Sequence, residues 1–161
     1  MFEPTDYVIR PLTAADEPLL WDMLHQGVQA IEGDAAPVEI VQRPEFARHV
    51  TGWGRPGDTG FVAHDIEEGK PLGAAWFRQL TRQHDAPGKE LTAELAFAVR
   101  RGHRRRGIGA ALLTQLVKAN PQHSHILISA PASNPAVRLY ERFGFGVVQA
   151  TDSSVTMRRE V

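Results

Sequence analysis

Between Val99 and Gly109 the chain reads V-R-R-G-H-R-R-R-G-I-G, a run of five arginines and three glycines without an acid. Gly107 and Gly109 remove side chains where a starting helix exposes its unpaired backbone N–H groups, so an anion can come close to them. Arg104, Arg105 and Arg106 stand directly before, adding positive charge and bidentate donors for phosphate oxygens. The chemistry described by these residues is pyrophosphate binding. Three motifs use that chemistry, and spacing separates them. A Walker loop needs Lys after its second Gly; Gly102 and Gly107 have the separation, but Ile108 holds the Lys position. The dinucleotide fingerprint needs a third Gly where Leu112 stands. The pattern satisfied is R-x-x-G-x-G, by Arg104, Gly107 and Gly109.

Charge supports one local anion site and no general polyanion surface. The chain has 161 residues with 18 Lys+Arg and 19 Asp+Glu; five of those bases fall within residues 100–106, giving +5 there and -6 over the other 154. No aromatic is interleaved among the arginines, so a stacking platform for nucleic acid is unsupported. The absence of cysteine excludes a disulfide scaffold, a Cys nucleophile and thiolate metal sites. His123 and His125 have the spacing of a metal pair but lack a third ligand cluster, and they read as surface histidines. Acidic Glu3 and Asp6 stand where a signal peptide would be basic then apolar, and no apolar run approaches a membrane span. These features predict a soluble, cytoplasmic protein with no membrane partner.

The elements that must position the loop follow from periodicity and punctuation, and with no repeat or linker residues 1–161 read as one domain. Tyr7 to Arg10 reads as a strand, and Thr13 with Glu17 opens an amphipathic helix through Leu19, Leu20, Met23 and Leu24. Gly27 to Pro44 reads as a loop before a short helix around Glu45 to Val50, and Gly52 to Gly60 as turns. Strands are expected at Gly60 to His64, Leu72 to Leu80 and Leu91 to Val99. The last is apolar on both parities, as befits a central strand covered on both faces. A helix over Gly107 to Ala119, a strand over His125 to Ser129, a helix from Pro135 to Phe143 stopped by Gly144, and strands near Phe145 to Gln149 and Ser154 to Arg158 complete the order.

With its strand, R-x-x-G-x-G loop and helix, the sequence resembles the GNAT N-acetyltransferases. The resemblance extends to Asn134, Tyr140 and the ending Phe143-Gly144-Phe145, which match the family's second motif, and to the element order over almost the whole chain. It implies a single-domain α/β (α+β) fold: a mixed, mostly antiparallel twisted sheet of about seven strands with four helices, splayed between the fourth and fifth strands. It implies an acetyl-CoA-dependent N-acetyltransferase acting on a primary amine. The backbone of Phe97, Ala98 and Val99 would pair with the pantetheine arm, and the N–H groups of Arg105, Arg106, Gly107, Ile108, Gly109 and Ala110 would hold the pyrophosphate. Asn134 would contact the cofactor or support the splay. Tyr140 would protonate the departing thiolate. Glu94, five residues before Val99, would be the general base that a protonated amine requires; lying three residues from Phe97, about 10 Å along a strand, it would act through water.

Each of these residues has a plainer reading. Tyr140 shares a helix face with Val137 and Phe143 and by periodicity alone is a core tyrosine. Glu94 in an apolar strand reads equally as a structural ion-pair partner. Arg100 and Arg101 read as solvated or as neighbours of the cofactor's 3'-phosphate, and Trp53 and Trp76 as core before acceptor pocket. Two other functions share the scaffold: a catalytically inactive CoA-binding module, and nucleic-acid binding through the arginine turn, the latter signalled by strong salt dependence. Acidic Glu32, Asp34 and Glu39 would suit a cationic amine. Dimerisation is common in the family, and the sequence does not decide it.

Overall fold

The computed structural model describes residues 7–32, 47–55, 57–79, 92–100, 107–120, 125–131, 136–150 and 154–160. Seven strands form one sheet in the order β1-β2-β3-β4-β5-β7-β6. They are β1 (Tyr7–Pro11), β2 (Thr59–Asp65), β3 (Pro71–Gln79), β4 (Thr92–Val99), β5 (His125–Pro131), β6 (Gly146–Ala150) and β7 (Ser154–Glu160). The described helices are α1 (Glu17–Glu32), α2 (Ile108–Ala119) and α3 (Ala136–Arg142). Every strand pair is antiparallel except β4 with β5. This is the mixed, mostly antiparallel sheet expected from the sequence, with β4 fourth of seven and buried on both faces.

Strand alternation sends the two parities of β4 into different cores. Leu95 joins Ala75, Phe77, Ile126 and Met157 beneath Leu112 and Leu116 of α2. Ala96 and Ala98 join Ala74, Trp76 and Val62 beneath Leu20 and Met23 of α1. Helices therefore cover both sides of the sheet, each burying an apolar stripe against it.

One expectation about the helices changes. Residues 27–32 continue α1 instead of opening a loop. Val28 and Ile31 extend the helical spacing begun at Leu20 and Leu24, and a single Gly27 costs only about 1 kcal/mol in a helix. The short helix expected around Glu45 to Val50 is, in its described part, one turn in which the N–H groups of Val50 and Thr51 both donate to the Ala47 carbonyl. Residues 45 and 46 lie outside the described residues, and Ala47 is helical. There are three α-helices among the described residues, not four.

The start of α1 also differs in detail. A 3-10 turn, Ala14–Asp16, precedes it, and Asp16 closes the cap: the Thr13 N–H donates to its carboxylate at 2.7 Å and Arg10 grips it at 2.8 and 2.9 Å. Arg10 holds the Asp16 carboxyl down at about 2. Glu17 instead accepts from the Trp53 N–H at 3.1 Å, tying α1 to the turn region before β2.

Candidate active site

The parallel pairing of β4 with β5 covers Thr92, Ala93 and Glu94 against His125, Ile126 and Leu127 and ends there. Beyond Glu94 the strands part, as the sequence predicts for the fourth and fifth strands. Leu95 to Val99 stay paired with β3 through Phe77 to Gly73, so their other edge faces the opening with no strand partner among the described residues. A free strand edge of this kind offers backbone donors and acceptors to an extended ligand.

Helix α2 starts at the mouth of that opening. Gly107, its N-cap, has φ +79°, a left-handed conformation that glycine adopts without steric cost, and no side chain caps the helix. The first intrahelical bond runs from the Ala111 N–H to the Gly107 carbonyl at 3.0 Å. The N–H groups of Ile108, Gly109 and Ala110 thus have no acceptor within the helix, and the first turn holds no acid. Gly109 also has a packing role. A Cβ there would lie 2.7 Å from the Phe97 ring and 3.1 Å from Leu139, so the missing side chain lets α2 sit directly on β4 and α3.

Tyr140 comes to the same place from α3. The helix ends in a Schellman motif: the Gly144 N–H donates to the Glu141 carbonyl at 3.1 Å, and the Phe145 N–H donates to the Tyr140 carbonyl at 3.1 Å, with Gly144 at φ +90°. That closure lays Phe145 beside Tyr140, ring centroids 6.0 Å apart, while Phe97 meets Tyr140 edge-on at 5.8 Å. Phe143-Gly144-Phe145 is therefore the device that fixes the tyrosine. Tyr140 is buried, and burial pushes its phenol well above the usual tyrosine range, so it keeps its proton at neutral pH.

Glu94 lies on the other face of β4, on the α1 side. It forms an ion pair with Arg48, and His49 Nε2 approaches the same carboxylate oxygen at 3.5 Å. The ion-pair reading of Glu94 is thus realised, and its partners are two residues that sequence reasoning missed. They sit 46 and 45 positions away in a stretch that reads as a short helix, with no local signal of the meeting. His49 stays neutral: burial first, then Arg48 and Arg78, lower it to about 4. Its Nδ1 is buried and has no hydrogen-bond partner among the described residues.

Arg100 is neither solvated nor free for a phosphate. It donates to the Pro71 carbonyl at 2.9 Å and pairs with Asp22 at 2.8 Å, fastening the end of β4 to α1. Trp53 and Trp76 are core, and each donates its indole N–H to a backbone carbonyl, of Thr13 and His49 respectively. Arg101, Arg104, Arg105, Arg106, Asn134 and His123 lie outside the described residues, as do Asp34 and Glu39. No group of three or more His, Asp or Glu that could hold a metal occurs among the described residues. Among the described residues no helix is long and apolar enough to cross a membrane.

The model of the GNAT acetyltransferase family matches residues 21–145, which span α1 through the end of the Schellman turn. The chain belongs to this family. Solved GNAT proteins share its fold. One from Kribbella flavida aligns with a TM-score of 0.70 over 99% of this chain and 100% of that one, at 21% identity. The PaiA N-acetyltransferase of Thermoplasma acidophilum, solved with coenzyme A, gives 0.69 over 96% and 99% at 14% identity. The ribosomal-protein-S18-alanine N-acetyltransferase of Escherichia coli gives 0.65 over 96% and 94% at 20% identity. None of the curated proteins compared matches in sequence. Proteins of this family bind acetyl-CoA and an acceptor, and the residues present fit that cofactor. Unpaired N–H groups at the start of α2 suit a pyrophosphate, and the open edge of β4 suits an amide-bearing arm.

Proposed function

We propose that this protein is an acetyl-CoA-dependent N-acetyltransferase that acetylates a primary amine by direct attack in a ternary complex. The observation that carries the proposal is the juxtaposition of the uncapped N-terminus of α2 with the unpaired edge of β4 beyond Glu94. When bound, acetyl-CoA supplies the acetyl group and a thiolate as leaving group. The N–H groups of Arg105 to Ala110, with Arg104 before them, would hold the pyrophosphate. The backbone of Phe97 to Val99 would bond the pantetheine arm, and Asn134 would contact the cofactor or support the splay.

Tyr140 and Glu94 lie on opposite faces of β4 and divide the proton transfers between them. Tyr140, held protonated by burial against Phe97 and Phe145, would deliver a proton on the leaving-group side. Glu94, ringed by Arg48 and His49, would take the ammonium proton through water on the acceptor side. The retained tyrosine and glutamate favour an active enzyme over a CoA-binding module. The compartment is proposed to be the cytoplasm, with no nucleic acid among the partners.

Acetyl-CoA at 100 times its dissociation constant should raise the melting temperature by about 5–10 °C. Tyr140→Phe should lower kcat by roughly 100-fold with little change in acetyl-CoA affinity. Absence of any thermal shift removes the cofactor assignment; equal loss of turnover and affinity rejects the acid role. An intact thermal shift with only slow hydrolysis across a broad amine panel would favour the inactive module.

A further inference from the structure

Arg48 is held more firmly than a turn residue ordinarily is. The Arg78 guanidinium, 1% exposed and paired with Asp58 through two 3.1 Å bonds, donates to the carbonyls of Arg48 at 3.0 Å and Thr51 at 2.8 Å. Trp76 donates to the carbonyl of the next residue, His49, at 3.0 Å. Two buried side chains of β3 thus pin the backbone of the Arg48–Thr51 turn. Arg78 also stands opposite Glu94 in the β3–β4 register. The turn is therefore built onto the sheet at the level where β4 leaves β5.

The side chain held in this way is only partly used. Arg48 bonds Glu94 through Nη2, and its side chain is 47% exposed while that of Glu94 is 8% exposed. A guanidinium carries five N–H donors in a planar fork. Among the described residues Arg48 makes no other side-chain hydrogen bond, so its remaining donors face outward on the α1 side, the side away from Tyr140.

From this geometry we infer that Arg48 binds a carboxylate of the acceptor, so that the preferred acceptors are small amines carrying a carboxylate close to the nucleophilic nitrogen, α-amino acids above all. The inference rests on the acetyltransferase reading. One face of the guanidinium fixes Glu94 and the other takes the acceptor's carboxylate in a bidentate pair. The acceptor's amine then lies within one guanidinium's span of Glu94, the group proposed to relay its proton. Charge balance points the same way. Arg48 and Arg78 are matched by Glu94 and Asp58, and His49 is neutral, so the described cluster is electrically even. A zwitterionic acceptor preserves that balance, whereas a plain alkylammonium or a diamine adds uncompensated positive charge beside the half-exposed Arg48 and the buried Arg78.

The test compares free amino acids with their C-terminal amides as acceptors, following CoA release by the wild type and by Arg48→Gln. Acetyl-CoA-induced thermal shifts are recorded for both proteins. Comparing each pair between the two proteins cancels the intrinsic reactivity difference between acid and amide. Loss of a charge-assisted bidentate contact should raise KM for the free acids roughly 10- to 100-fold relative to the amides, any loss of turnover through Glu94 falling on both alike, with the acetyl-CoA thermal shift unchanged. Equal losses for acid and amide, or an unchanged acid-to-amide ratio, overturn the carboxylate assignment. A normal thermal shift with no acetylation of any amino acid overturns it alone. A wild type that shows no thermal shift overturns the acetyltransferase reading and this inference with it.

Discussion

His49 illustrates how much a single side chain here depends on its surroundings. A carboxylate 3.5 Å away would ordinarily favour an imidazolium, yet burial and two arginines outweigh it and hold the ring neutral down to about pH 4. The unfolded chain takes up this proton near pH 6.5, so between pH 6.5 and 4 it binds more protons than the folded one. Stability should therefore fall as pH drops through that window, by up to about 3 kcal/mol, and be flat above it. Urea midpoints measured from pH 4 to 7.5 should show this slope in the wild type and a much shallower one in His49→Gln; matching slopes would contradict the burial described. Asp16, held at about 2 chiefly by its Arg10 hydrogen bond, adds a separate loss below pH 3.8. The wild type and His49→Gln both keep that second loss, and extending the measurement below pH 4 separates the two groups. Glu94 could be picked out in the sequence as either a base or an ion-pair partner. Which cations meet it could not be read there, because Arg48 and His49 are brought to β4 by long-range contacts, among them the bonds of Arg78 and Trp76 to the turn backbone and the burial of Val50 against the sheet.

At the scale of elements, α2, β4 and α3 meet through one missing side chain. Gly109 allows the Phe97 ring to lie against α2, and the same ring packs edge-on to Tyr140. Gly109→Ala should therefore push Phe97, destabilising the protein by about 1–3 kcal/mol, and it should disturb Tyr140 as well. Adding Phe97→Leu should recover part of that loss, so denaturation of the two single variants and the double variant should be clearly non-additive. Additive losses would mean that the helix relaxes away from β4 instead. The glycines of the loop were legible as special residues in the sequence. Their separate reasons were not: Gly107 is needed for its left-handed backbone and Gly109 for its packing on Phe97 and Leu139. Local patterning located most of the strands to within about two residues, since short β-prone apolar runs bounded by turn residues mark them. It cut α1 short at Gly27, where continued apolar spacing outweighed the propensity of one glycine.

Across the whole molecule the sheet has two parts, β1 to β4 and β5 to β6, joined by three residue pairs at the base of the opening. If acetyl-CoA adds to the sheet as proposed, it should slow hydrogen exchange of alternate amides within Leu95–Val99, by at least about tenfold at saturation. The intervening amides, already bonded to β3, should change little. A uniform change along the strand, or none, would remove the strand-addition model while leaving pyrophosphate binding open to its own test.

By itself the sequence determined the class of fold and the family. These depend on short-range patterns: periodicity within a strand or helix, and glycine spacing at a strand-to-helix turn. Only the tertiary structure decided that Tyr140 and Glu94 stand on opposite faces of β4, that Arg100 is committed to Asp22 and Pro71, and that Arg48 and His49 surround Glu94. These depend on contacts between positions tens of residues apart. Such contacts are set by how whole layers pack, and a pattern within one element carries no record of its partner across the sheet.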